Sequence, residues 1–278
     1  MPQQTAEEAI YNSVAETYDA DFLGVNAQAR RAALSQIKNH VKEASHVLDV
    51  CIGTGQTAVE LGKTFHFHRF IGCDISDKMI EQAKKKIPFS WTVVCDDCRN
   101  LERYIEPGSQ DLILCHLLND YVPLETLLPL FYRLLKPGGY LSNMGSTKEQ
   151  CSAFPEIFQK SPLAHLFYKK IMKKSLDVAI QTSGTFNSHL EGVNLINQHR
   201  FVVVAEQEKE VSIVLNSAKE GWKLAYESGW ANRYLSMLSP WQLKLLKLCF
   251  QLFQLPLLNL YPLKFRMLFS CILAQKPL

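Results

Sequence analysis

From His46 onward, short β-branched or apolar runs alternate with stretches of helical periodicity, and this alternation narrows the fold more than any other feature. The runs are His46–Cys51, Arg69–Cys73, Trp91–Cys95, Asp111–His116 and Gly139–Met144. Helical spacing fills Gly55–Gly62, Asp77–Ile87 and Leu124–Leu135. The last of these is ended by Lys136–Pro137–Gly138–Gly139, where Pro and Gly forbid continuation. Strands joined through helices predict a parallel, doubly wound α/β sheet. Met267–Ala274 is apolar enough for one more strand, which Gln275–Lys276–Pro277 ends.

Two helices are expected before the sheet. Thr5 and Glu8 form a capping box ahead of Ile10, Val14 and Tyr18, and Leu34, Ile37 and Val41 make one stripe across Gln28–Lys42. Between Ser146 and Ser239 the pattern is less regular. Phe154–Leu176 reads as helical with a basic cluster at Lys169–Lys174, and Phe201–Ala205 and Val211–Leu215 read as strands around a charged turn at Glu206–Glu210. Trp241–Leu255 is a helix with a broad apolar face, stopped by Pro256. The triplet Lys84–Lys85–Lys86 reads as the solvated, cationic end of a helix.

Composition limits the function classes. With 278 residues, 47% of them hydrophobic, the chain can bury a large core. Thirty Lys and Arg against 27 Asp and Glu leave +3, too little for a field that attracts nucleic acid, so small-molecule chemistry is expected. Met1–Glu8 is polar and acidic, and no run reaches the roughly 18 apolar residues of a membrane span. The expectation is a cytoplasmic protein without membrane contact. Eight cysteines, several inside apolar runs, read as buried reduced thiols. Cys95 and Cys98 have CxxC spacing but no matching second pair, so no metal is expected.

The segment Val47–Ala58 carries the most chemistry. An apolar strand enters a turn where Gly53 and Gly55 let the backbone approach a ligand, and the next helix presents its N-terminal amides. Gly53–Ala58 also fits the GxGxxG/A pattern of nicotinamide dinucleotide sites, with Asp74 about 20 residues on as the ribose-binding acid. Asp49 favours a different ligand. It places a carboxylate directly before the glycine turn, where a pyrophosphate meets like charge and an ammonium group does not. Asp96 and Asp97 follow the third strand, positioned to accept from an adenine amino group.

In ordered combination these residues resemble the class I S-adenosylmethionine-dependent methyltransferases. The resemblance spans roughly Tyr11–Met144 and returns at Phe269–Pro277. It rests on Tyr18–Asp19, Leu48–Asp49–Val50 with Gly53–Thr54–Gly55, Gly72–Ser76 with Lys78–Met79, Asp96 with Leu101, Asp111–Leu114 and Leu134–Leu141. It implies a Rossmann-like, seven-stranded, mostly parallel sheet with an antiparallel last strand, a helical N-terminal lid and an insertion after the fifth strand. The implied division is 1–45 lid, 46–147 cofactor-binding core, 148–262 acceptor-side insertion and 263–278 terminal strand.

By the same resemblance the cofactor is S-adenosylmethionine. The glycine turn holds its methionine part, Asp74 its ribose hydroxyls, and Asp96 faces its adenine. The expected contacts are Tyr18, Asp49, Gly53, Thr54, Gly55, Asp74, Ile75, Met79, Asp96, Asp97 and Cys115. One departure is plain: relatives usually have glycine where this chain has Cys51 and cysteine where it has Ile52.

His116 and Tyr121, just after the fourth strand, are the candidate catalytic residues, with Asn119 in the same loop. The acceptor is expected to be small and partly hydrophobic, held by the segment from Ser146 to Pro262 with Trp222, Tyr226, Trp230 and Tyr234. The alternatives are a nicotinamide-dependent oxidoreductase and a non-catalytic cofactor-binding partner subunit.

Overall fold

A computed structural model of the chain describes residues 5–151, 162–227, 235, 237–252 and 261–278. At its centre β1 (His46–Asp49) pairs in parallel with β2 (Arg69–Asp74) on one side and β4 (Gln110–His116) on the other. β3 (Thr92–Cys95) extends the first side. β5 (Leu135–Ser146), β7 (Leu263–Gln275) and β6 (Val202–Leu215) extend the second. The order is β3-β2-β1-β4-β5-β7-β6, and the two antiparallel pairings are those of β7 with its neighbours. The Rossmann-like, mostly parallel seven-stranded sheet read from the sequence is the observed architecture.

Strand alternation divides the core between the two faces. Val47 packs on one face with Leu34 and Ile37 of α2 (Val25–His40) and Ala58 and Leu61 of α3 (Gln56–Gly62). Leu48 packs on the other with Leu124, Leu127 and Phe131 of α5 (Leu124–Leu134). The remaining helix of the core, α4 (Asp77–Lys84), starts at Ser76, whose Oγ accepts from the amide of Met79 at 3.0 Å.

The expected charged turn at Glu206–Glu210 is not a turn. β6 runs for 14 residues, paired with β7 from Val202↔Gln275 to Leu215↔Leu263 with one register shift between Val203 and Ala205. At the sheet margin its Glu206, Glu208 and Glu210 side chains stay in water, so the charge that suggested a turn costs the strand little. The segment after β5 therefore supplies a strand of the same sheet, along with α6 (Lys173–Thr182), α7 (His189–Gln198) and α8 (Pro240–Leu252). The helix expected over Phe154–Leu176 is described from Pro162 on; 152–161 and 253–260 lie outside the described residues. No helix among the described residues is long and apolar enough to cross a membrane.

The N-terminal segment folds over the strand ends. Thr5 caps α1 (Ala6–Val14) by accepting from the amide of Glu8, as its sequence predicts. α2 begins earlier than expected because the Asp21 carboxylate accepts from the amides of Asn26 (3.0 Å) and Ala27 (2.7 Å), a cap delivered from outside the helix. Asp21→Ala should lower stability by about 1–2 kcal/mol in urea unfolding, and Asp21→Asn by less, since an amide oxygen still accepts. Equal stability of all three proteins would remove Asp21 as the cap.

Candidate functional site

The strand order reverses between β1 and β4, and open α/β sheets form a crevice there, beyond the carboxyl ends of the strands. A cavity of about 780 Å³ occupies this crevice. Its floor is the chain that leaves each strand: Val50–Thr54 after β1, Asp74 and Ile75 at the end of β2, Asp96–Arg99 after β3, His116–Leu118 at the end of β4, and Met144 in β5. Its roof is the N-terminal segment, with Tyr11, Tyr18, Asp19, Asp21, Asn26 and Arg30.

The two glycines of the turn differ in function. Both have left-handed backbone, φ +54° at Gly53 and +81° at Gly55. A Cβ on Gly53 would meet nothing within 4 Å, so this backbone borders the open cavity. A Cβ on Gly55 would come within 3.2 Å of Ile87, so Gly55 is needed for packing on the α4 side. Gly53, not Gly55, lines the cavity, which corrects the assignment of Gly55 as the point of ligand approach.

Four carboxylates stand at or just after the strand ends: Asp49, Asp74, Asp96 and Asp97. Asp49 is buried, and its Oδ2 has no hydrogen-bond partner among the described residues. Burial pushes its pKa up to about 7. Asp74 accepts from the amides of Gly53 at 2.8 Å and Ser76 at 2.9 Å, which ties the glycine turn to β2. Burial raises its pKa as well. Asp96 is occupied by protein donors: the amide of Asp97 (2.7 Å), Asn100 Nδ2 (2.8 Å) and Tyr104 Oη (2.7 Å). Asp97 caps the following turn and pairs with Arg99, whose side chain is 68% exposed.

The roof is fastened at one point. Asp19 accepts from Thr54 Oγ1 at 2.5 Å and pairs with Lys86, whose Nζ also donates to the carbonyl of Thr54 at 2.9 Å. Lys86 is thus not simply a solvated helix end: tertiary folding brings it to the glycine turn from 32 residues away. Beside this clasp Tyr18 meets Tyr11 edge to face with ring centroids 6.3 Å apart, and Tyr11 meets Tyr121 at 5.4 Å. Burial raises the phenol pKa values of Tyr11 and Tyr18, so both stay neutral. Met79 packs beneath these rings with Val14.

His116 lines the cavity, with Nε2 3.0 Å from Ser142 Oγ and Nδ1 buried without a partner among the described residues. Burial, and next the field of Arg30, lower its pKa to about 3, which makes it a neutral hydrogen-bonding group and a weak base. Asn119 pairs with Asn143 in the interior, and Cys115 belongs to the core cluster under α5; neither lines the cavity. Sequence reading missed Arg30 and Asn26, because nothing in an exposed-looking helix pattern says which side chains a lid turns inward.

The acceptor wall expected from Ser146–Pro262 is not found among the described residues, none of which in that range lines the cavity. Trp222 lies instead under Lys247, whose Nζ is 5.4 Å from the ring centroid. Trp230 and Tyr234 lie outside the described residues.

Residues 47–139 match the family described as a methyltransferase domain. Over 172 residues the chain is 27% identical to a demethylmenaquinone methyltransferase of Chlamydia trachomatis, covering 60% of this chain and 70% of that one. It is 29% identical over 150 residues to a tRNA 5-carboxymethoxyuridine methyltransferase of Escherichia coli, covering 48% and 55%. Among solved structures, a chain from the complex between the Haloferax volcanii Trm112 methyltransferase activator and a methyltransferase superposes with a TM-score of 0.61. That match covers 98% of this chain and 97% of that chain at 16% identity, and it is a likeness of fold.

Two outcomes test this geometry. Gly55→Ala should melt several degrees below Gly53→Ala, since both pay for left-handed backbone but only Gly55 also crowds Ile87. Similar melting points would contradict the packing role. Asp49 makes stability depend on pH. Below pH 3.8 both the folded and unfolded carboxyl hold a proton, so there is no cost. As pH rises toward 7 the unfolded carboxyl ionises first, and the ligand-free fold loses roughly 4 kcal/mol. Asp49→Asn should therefore gain stability over the wild type between pH 4 and 7; parallel pH profiles would refute the shift.

Proposed function

We propose that the chain is a class I S-adenosylmethionine-dependent methyltransferase that holds S-adenosylmethionine across the strand ends and methylates a small, partly hydrophobic acceptor. The observation that carries this reading is the acidic floor. Asp74, Asp96 and Asp97 line the cavity, and Asp49 lies buried at the foot of the glycine turn with one oxygen unpartnered. Such a floor repels the pyrophosphate of a nicotinamide dinucleotide and suits a ligand with an ammonium and a sulfonium group.

The residues fit the cofactor part by part. Gly53 leaves open space for a ligand chain against the backbone, and Asp49 Oδ2 lacks the donor that an ammonium supplies. Asp74 uses two lone pairs on amides and keeps capacity for ribose hydroxyls. Asp97 suits the adenine amino group better than Asp96, because its partner Arg99 is exposed and such pairs contribute little, whereas Asp96 is saturated by Asn100 and Tyr104. Tyr18 and Tyr121 present aromatic rings of the kind that attract a cationic centre.

S-adenosylmethionine supplies a methyl group on an electron-poor sulfur. The chain's own work is to orient the acceptor and exclude water. The Asp19–Thr54–Lys86 clasp closes the roof, and Leu117, Leu118, Val122 and Met144 give the cavity an apolar side for the acceptor. The two named relatives act, by their names, on demethylmenaquinone and on a tRNA nucleoside. A roofed cavity with an apolar side favours a small molecule.

Asp74→Ala should raise the S-adenosylmethionine Kd by about 30-fold or more, from lost charge-assisted hydrogen bonds of roughly 1.5–3 kcal/mol each. Asp97→Asn should weaken binding with little change in melting point, and Asp96→Asn should do the reverse. Titration calorimetry with S-adenosylmethionine and with NAD decides the reading: heat from NAD alone would overturn it.

A further inference from the structure

Arg30 is the one cation of the cavity wall with unused donors among the described residues. Its Nε and one terminal nitrogen both bind a single oxygen of Glu60, at 3.2 and 3.1 Å, and three of its five N–H groups find no protein acceptor. Its side chain is 14% exposed and lines the cavity, so the guanidinium is largely withdrawn from the surface. The other lining cation, Arg99, is spent on Asp97 at the far, acidic end.

Two neutral groups belong to the same wall. Asn26 supplies a side-chain amide to the cavity lining, and His116 Nδ1 is buried without a partner among the described residues. A buried polar atom without a partner is costly, and a ligand that satisfies it recovers that cost. The neighbouring carboxylates do not compete for Arg30. Asp21 is taken by the amides of Asn26 and Ala27, and Asp19 by Thr54 and Lys86.

We propose that the acceptor is a delocalised oxyanion, a carboxylate or an acidic hydroxyquinone, with one oxygen held by Arg30 beside Asn26 and His116. The inference rests on the methyltransferase reading for the fate of this anion; the anion site itself is read from Arg30 alone. The second oxygen attacks the methyl carbon, an O–C bond forms, and the C–S bond breaks with its electron pair passing to sulfur. The oxyanion and the sulfonium both become neutral, and no proton has to be removed. Among the described residues the lining offers one imidazole, His116, held neutral, and the phenols Tyr11 and Tyr18 stay protonated, which suits an acceptor that brings its own negative charge. The cavity is then two-ended, with carboxylates facing a cationic cofactor and Arg30 facing an anionic acceptor.

The test uses the full chain saturated with S-adenosylhomocysteine, titrated with two anions, 2-naphthoate and 2-hydroxy-1,4-naphthoquinone, and with their neutral counterparts, 2-naphthamide and 1,4-naphthoquinone. At least one anion should bind roughly tenfold or more tighter than its counterpart, and which one does so separates the carboxylate from the hydroxyquinone. Arg30→Met should remove that preference by about tenfold while cofactor affinity stays within about twofold. Glu60→Gln frees the guanidinium and should strengthen anion binding, a change of opposite sign that a structural role for the Arg30–Glu60 pair would not produce. Absence of any preference for an anion, or both variants moving affinity in the same direction, overturns the proposal. Anion binding that depends on Arg30 in a chain with no affinity for S-adenosylmethionine would sink the methyltransferase reading and leave the anion site standing.

Discussion

Everything in the site depends on the parallel pairing of β1 with both β2 and β4. A parallel strand cannot return by a hairpin, so each strand must release its chain at the same edge of the sheet before a helix carries it back. That rule gathers the residues after β1, β2, β3 and β4 at one edge, although they are spread over 70 positions of sequence. Asp74 then makes the assembly rigid: its carboxylate binds the amide of Gly53 from the next strand, so the turn that faces the cavity is shaped by the neighbouring strand's acid. Removing water from these carboxylates costs free energy in the ligand-free chain, as the raised pKa values of Asp49 and Asp74 record.

The second constraint is the roof. α1 and the residues up to Gly24 make no strand, yet they close the cavity, while Val25 and Ala29 of α2 already pack in the core against β6 and β7. The roof is held by side chains meeting across long stretches of sequence: Asp19 on Thr54 and Lys86, and Asn12 Oδ1 accepting from Ser76 Oγ at 2.5 Å. Most of these contacts are polar and partly exposed, the kind that opens at lower free energy than an apolar core. A cover fastened this way admits ligands without unfolding the sheet. Arg30 reaches the cavity from α2, which the core holds against the sheet through Val25, Ala29 and Ala33.

How much of this was legible depends on range. Strand–helix alternation, the capping box at Thr5 and the glycine turn are local patterns, and each appears where the sequence placed it. Lys86 and Arg30 were not legible, because a lysine ending a helix and an arginine on a helix look solvated until a partner 32 or 30 residues away is known. The charged run in β6 misled for a related reason: Glu206–Glu210 looks like a turn unless one knows that the strand runs along the sheet margin, where its charges remain in water.

The sequence by itself determined the class of fold, the position of the glycine turn and the order of the acids Asp49, Asp74, Asp96 and Asp97, since periodicity, turn chemistry and strand-end position are properties of short segments. Only the tertiary structure decided that Gly53 borders the cavity while Gly55 packs on Ile87, that His116 is neutral, and that the N-terminal segment roofs the cavity with Tyr11, Tyr18 and Asp19. Those facts depend on burial and on contacts between distant residues, and neither exists until the chain has folded.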